Sequence, residues 1–142
     1  MRKLSPEFQP SYKLLDALAD CFERPQDLPD MAAVAVSGGS DSMALLRMAH
    51  YLWERHEKQI VALTVDHGLR PESVGEAKQV AAWCASLGVE HHVLKWAYDG
   101  KGNLSAAARE GRYRLMADFC TSRGIERLYT AHTMDDLSLI HI

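Results

Sequence analysis

Leu14, Leu15, Ala17, Leu18, Cys21 and Phe22 recur at helical spacing, which predicts an amphipathic helix over 11–22. Pro25 and Pro29 break the chain before the next element. Ala32 to Val36 is a short apolar run that stops at Gly38-Gly39, the pattern of a fully buried strand. Leu45, Leu46, Ala49, Leu52 and Trp53 return to helical spacing and carry a helix to about His56. Ile60 to Val65 predicts a second strand that ends at Asp66. The stretch 67–73 holds Gly68 and Pro71 and reads as loop. Ala77, Val80, Ala81 and Cys84 share one face of a helix over 74–87, with Gly88 at its C′ position. Val89 to Trp96 predicts a third strand and 99–103 a loop. Ser105 to Arg123 is a long helix closed by Gly124, and Ile125 to Ala131 predicts a fourth strand.

Strands that alternate with helices imply βαβ units, and these imply an α/β fold: a parallel twisted sheet with helices on both faces, Rossmann-like. Ligands of such sheets sit beyond the carboxyl ends of the strands. That rule selects the loops 37–42, 66–73, 96–104 and 132–136 for chemistry. No internal repeat, low-complexity tract or linker divides the chain.

The 142 residues suffice for one domain with a core of its own, and 47% hydrophobic with 25% charged residues is ordinary for a globular protein. A formal net charge of −3 argues against non-specific nucleic-acid binding over the whole surface, while leaving room for a local basic patch. Cys21, Cys84 and Cys120 are odd in number and form no CxxC pair, so the expectation is neither a disulfide framework nor a zinc site but a reducing, cytoplasmic setting. No apolar run reaches the roughly 20 residues that span a bilayer, and no secretion signal is expected.

After the first strand the chain turns through Ser37-Gly38-Gly39-Ser40-Asp41-Ser42 into a helix. Glycines there can take positive φ and leave no Cβ in the way of a ligand. The N–H groups of such a turn can point at an anion at the positive end of the helix, with the hydroxyls of Ser37, Ser40 and Ser42 as further donors. Asp41 suits Mg²⁺ or a helix cap better than it suits phosphate. The turn is neither a Walker A nor a GxGxxG sequence, and a Ser/Asp-capped glycine turn with no ligand is the plainer alternative. His67 and Arg70 lie in a loop beyond a strand end, where a cation can meet phosphate; for His67 alone, a solvated loop is the simpler reading. Arg109 and Arg112 stand three apart on one helix, a pair that can clamp phosphate oxygens or be ordinary basic surface. Asp135 and Asp136 follow a strand end, as a Mg²⁺ or ammonium site or as the acidic start of a helix.

Ser-Gly-Gly-Ser-Asp-Ser resembles the S-G-G-x-D-S signature of the PP-loop ATP pyrophosphatase superfamily (adenine nucleotide alpha hydrolase-like), whose members transfer AMP from ATP and release pyrophosphate. Three further segments resemble one family within it, the tRNA(Ile)-lysidine synthetases. These are Asp66 to Ser73 (D-H-x-L-R-x-x-S), Asn103 to Tyr113 (N-x-x-x-x-A-R-x-x-R-Y) and Ala131 to Asp136 (A/G-H-x-x-D-D). The resemblance implies a ligase that adenylates the C2 carbonyl oxygen of the wobble cytidine of tRNA(Ile) with a CAU anticodon. The ε-amine of free lysine then displaces AMP. It implies ATP and Mg²⁺, with Ser37 to Ser42, His67 and Arg70 binding the nucleotide. Asp41, Arg109, Arg112, Asp135 and Asp136 would be catalytic, and Asp41 and Asp136 would hold the metal. The full-length protein is a candidate homodimer. Two alternatives are another PP-loop enzyme, one that thiolates tRNA or amidates a small molecule, and a non-catalytic ATP-binding module.

The family continues its last motif with Q-x-E-T, whereas Asp136 is followed by Leu-Ser-Leu-Ile-His-Ile. Those six residues match a translated sequencing-library adapter. The expectation is therefore an incomplete catalytic domain over 1–136 and a non-native tail over 137–142. The domains that would select the tRNA would be missing, and the fragment would be inactive alone.

Overall fold

The structure, a computed structural model, describes residues 24–68, 72–131 and 137–142. The helix expected over 11–22 lies outside them. A 3-10 turn, Pro25–Asp27, leads into β1 (Met31–Ala35). Then follow α1 (Ser40–Arg55), β2 (Gln59–Asp66), α2 (Glu72–Leu87), β3 (Glu90–Lys95), α3 (Leu104–Arg123), β4 (Arg127–Ala131) and β5 (Leu137–His141). Every expected strand and helix within this range forms, with ends displaced by no more than two residues where both are defined. Gly88 and Gly124 stop α2 and α3 as anticipated, at φ +73° and +69°. Ile125 N–H then returns to the Cys120 carbonyl at 2.8 Å and closes the end of α3.

The sheet order is β3-β2-β1-β4-β5, with β1 to β4 parallel and β5 antiparallel to β4. The chain first steps outward from β1 through β2 to β3, then returns through α3 to the other side of β1. Crossovers of one hand place helices on opposite faces when the direction of stepping reverses. Accordingly α1 and α2 share one face and α3 takes the other. Strand alternation separates the two cores. Ala32, Val34, Ile60 and Ala62 pack with Leu45, Leu46, Trp53 and Val80, whereas Ala33, Val61 and Leu63 pack with Met116 and Cys120.

The sheet is parallel as expected over β1 to β4, and β5 adds an antiparallel edge strand. In β5, Leu139 packs toward the α1 side and Ile140 toward the α3 side, so this two-residue alternation anchors both faces of the edge. The segment's register runs from Arg127 opposite His141 to Ala131 opposite Leu137.

At the far end of the sheet the Arg123 guanidinium grips Glu90 with two bonds, 2.9 and 3.3 Å, and joins the end of α3 to the start of β3. His92 shares the same carboxylate. Hydrogen bonds from Arg123 first, then His92, hold the Glu90 carboxyl at about 2, below its ordinary 4.5. A depressed carboxyl adds stability above its unfolded pKa, and that stability is lost as pH falls through the folded value. The Glu90 side chain is 41% exposed, so solvent screening reduces the contribution to about 1 kcal/mol. Glu90→Gln should therefore cost about 1 kcal/mol at pH 7 and nothing near pH 2. Urea unfolding at the two pH values checks this, and an equal cost at both would refute the ion-pair origin.

Candidate functional site

The strand order reverses between β1 and β4. Their carboxyl ends diverge there and leave a crevice, the position where open α/β sheets take ligands. A cavity of about 470 Å³ occupies it. Ala35, Leu63, Val65 and Met116 form its apolar wall on the α3 side. Ser37 and Gly38 of the glycine turn form its rim, facing Glu76 and Ala77 of α2. His67, Arg112, Thr64 and Thr130 supply polar groups.

The turn is built differently from expectation in one respect. Neither Gly38 nor Gly39 has positive φ; Gly39 sits at φ −74°, ψ 153° as the N-cap of α1. The glycines serve by absence of a side chain. A Cβ on Gly38 would lie 3.7 Å from Glu76 Cβ and narrow the gap between the turn and α2. Ser42 is buried and closes the turn from inside. Its hydroxyl donates to the Gly39 carbonyl at 3.2 Å and accepts from the Ser37 N–H at 3.0 Å. The Ser37 and Ser42 hydroxyls lie 3.1 Å apart, and Gly39 N–H donates to Ser37 Oγ at 3.3 Å. Thus Ser37 and Ser42, read from sequence as phosphate donors, hold the loop in shape. The first helical bond of α1 runs from Met43 N–H to the Gly39 carbonyl, at 3.2 Å. The N–H groups of Ser40, Asp41 and Ser42 therefore precede the helical ladder, at its positive end. Asp41 is partly exposed in the first turn, and α1 has no side-chain cap.

Below the turn, Thr64 Oγ1 donates to the Val36 carbonyl at 2.8 Å, and Val36 N–H donates to the Leu63 carbonyl at 2.8 Å. With its proton committed to Val36, the Thr64 hydroxyl accepts from Nε2–H of His91, also at 2.8 Å. Burial, and then the charge of His92, lowers the His91 pKa and keeps it neutral in this chain of bonds. The residue before the glycine turn is thus pinned from two strands away.

His67 stands at the end of β2, where the Asp66 side chain accepts the Gly68 N–H at 2.9 Å and shapes the turn. Burial first, and the neighbouring Arg112 charge second, lower the His67 pKa, so the imidazole is neutral at physiological pH. Among the described residues its Nδ1 and the hydroxyl of Thr130 are buried without hydrogen-bond partners, and both residues line the cavity. Such groups cost stability until a ligand satisfies them. Two orphaned polar atoms above an apolar wall fit a nucleoside, and the turn's N–H groups fit its phosphates.

Of the two arginines, Arg112 lines the cavity, whereas Arg109 lies outside it on the exposed surface. Both guanidiniums sit over the Tyr113 ring, at 5.0 and 5.8 Å from its centroid. Arg70, Asp135 and Asp136 lie outside the described residues. Among the described residues no cluster of three metal-ligating side chains forms. Thr64, Glu76, Thr130 and the His91 link escaped the sequence reading; only their places near strand and helix ends on the carboxyl side could have marked them.

The family model for the PP-loop domain matches residues 11–139. The tRNA(Ile)-lysidine synthase of Hyphomonas neptunium is 43% identical over 136 residues, 96% of this chain and 35% of its own length. That of Orientia tsutsugamushi is 41% identical over 106 residues, 74% of this chain and 24% of its own. The chain thus spans between 24% and 35% of the length of these relatives. Among solved structures, the U34-tRNA thiolase NcsA from Methanococcus maripaludis, with its 4Fe-4S cluster, is similar at a TM-score of 0.70 and 13% identity. That match covers 85% of this chain and 45% of the other, and it bears on fold. With the family model covering most of its length, the chain belongs to the PP-loop domain family.

Proposed function

We propose that the chain is the ATP-binding part of a tRNA(Ile)-lysidine synthase, a ligase that couples ATP cleavage to AMP and pyrophosphate with joining of lysine to the wobble cytidine of tRNA(Ile). The observation that carries the reading is the convergence of the Ser37–Ser42 turn, His67 and Arg112 on one cavity at the strand-order switch. In the first step the cytidine C2 oxygen attacks the α-phosphorus and the bond to pyrophosphate breaks. The N–H groups at the start of α1 and the Arg112 guanidinium neutralise the charge that collects on the leaving group. The ε-amine of lysine then attacks C2, AMP departs with the C2 oxygen, and the amine loses its proton. No nucleophilic side chain is needed. Fixing the reactants and balancing charge is the domain's contribution. Asp41 and Asp136 would hold Mg²⁺, which shields the triphosphate.

The described cysteines favour an amine acceptor over sulfur transfer. Cys84 and Cys120 are fully buried in separate cores, and burial raises both thiols, Cys120 to about 11. Neither is placed or ionised as a sulfur carrier would require.

ATP–pyrophosphate exchange by the full-length parent protein tests the reading. Exchange that requires isoleucine tRNA with a CAU anticodon is expected. Exchange driven by another tRNA would point to a different PP-loop enzyme, and none at all to a passive nucleotide binder. The 142-residue chain alone is expected to bind ATP but to incorporate no radiolabelled lysine into tRNA.

A further inference from the structure

Trp96, the first residue after β3, rests directly on α3 at Gly111. A Cβ added at position 111 would fall 1.9 Å from the indole Nε1 and 2.3 Å from Cδ1. Glycine is a poor residue for a helix interior, so the missing side chain has a use here: it is the seat of the indole. The Trp96 backbone is fixed as well, its N–H donating to the Asp66 carbonyl at 2.9 Å. From this seat a row of rings extends. The His67 ring meets Trp96 edge to face at 5.7 Å between centroids, and the Tyr98 ring lies 6.0 Å from Trp96. The Tyr98 hydroxyl donates to the Gly102 carbonyl, which holds the ring in place although it is 37% exposed. Trp96 is itself partly exposed.

Neither Trp96 nor Tyr98 lines the cavity, although His67, which Trp96 touches, does. Lys101 lies in the same loop as Tyr98, its backbone N–H donating to the Asp99 carboxylate at 2.9 Å. Fixed, partly exposed rings with a lysine in the same loop, next to the cavity residue His67, suit single-stranded RNA, whose unpaired bases stack on aromatic faces while a basic side chain takes a phosphate.

We propose that Trp96 and Tyr98 form a stacking platform for an unpaired base of an RNA loop, with Lys101 on a flanking phosphate. This rests on the reading that the substrate is a tRNA, and it places the RNA at the mouth of the cavity, beside His67.

The test uses the 142-residue chain with two titrations, one of ATP and one of a fluorescent single-stranded RNA heptamer centred on CAU, at low salt. The wild-type chain should bind the heptamer and prefer it to an RNA duplex. Trp96→Leu and Tyr98→Ala should each weaken RNA binding about tenfold or more, while Trp96→Phe retains most of it. Gly111→Ala should match Trp96→Leu, because the added methyl evicts the indole. ATP titration should be unchanged in all four variants, which also certifies folding. RNA binding unaltered by Trp96→Leu would overturn the platform, as would a wild-type chain that binds ATP but not the heptamer. Loss of ATP binding with RNA binding intact would also overturn it, by assigning the rings to the nucleotide's own base. Trp96-dependent RNA binding by a chain that takes no ATP would keep the platform and remove the nucleotide reading instead.

Discussion

Arg112→Gln is expected to weaken ATP binding by about 10- to 100-fold, the loss of one charge-assisted contact of about 1.5–3 kcal/mol in a partly desolvated site. The same change carries an independent signature at His67. Burial is the larger cause of that residue's lowered pKa, and the Arg112 charge is the second. Removing the charge should let the imidazole pKa rise, while burial keeps it below the ordinary 6.5. Isothermal titration with ATP and an NMR titration of the His67 ring read the two effects in the same variant. Arg112→Lys separates them: it keeps the charge, so His67 stays low, yet it loses the planar fork that pairs two phosphate oxygens. An Arg112→Gln protein that binds ATP like the wild type would remove Arg112 from the phosphate site. An unmoved His67 would show that the two side chains do not share one field.

Arg112 also shows how far residues can be read without coordinates. Its helix was legible because α3 carries its own stop signal in Gly124, and β1, β2 and β4 were legible because buried parallel strands are short, nearly unbroken apolar runs. The strand order was not. Nothing local to 104–123 states that α3 crosses to the opposite face, and that crossing is what brings Arg112 and Met116 over the ends of β1 and β2. Arg109, three residues earlier, looked equivalent in sequence and lies exposed outside the cavity lining. The glycine turn was legible as a ligand loop but not in its construction. Ser37 and Ser42 spend their hydroxyls on each other and on the backbone, a choice fixed by the 3.1 Å between them rather than by residue type. The Thr64–His91 link joins positions 27 apart across two strands and belongs wholly to sheet register. The antiparallel pairing of β5 was invisible for a related reason: five residues of mixed character carry no direction.

Packing at the far end of α1 sets the direction of that helix, and the largest stability effect is expected there. Trp53 is fully buried on the inner face of α1. Its indole N–H donates to the Pro29 carbonyl at 3.0 Å, and its ring meets Tyr129 edge to face at 5.7 Å. One side chain thus ties α1 to the entry of β1 and to β4, the two strands that flank the crevice. Trp53→Ala should cost about 3–5 kcal/mol, from lost burial and the void left behind. Trp53→Phe should cost less, about 1–3 kcal/mol, since it keeps most of the ring but leaves the Pro29 carbonyl without its donor. Urea unfolding followed by far-ultraviolet circular dichroism measures both. The functional consequence follows from geometry: α1 presents the N–H groups of residues 40–42 only while its inner face is locked against β1 and β4. Trp53→Phe should therefore remain folded and lose ATP affinity by no more than a few-fold. If it kept full stability, the Pro29 bond would be immaterial and α1 would be held by apolar contact alone.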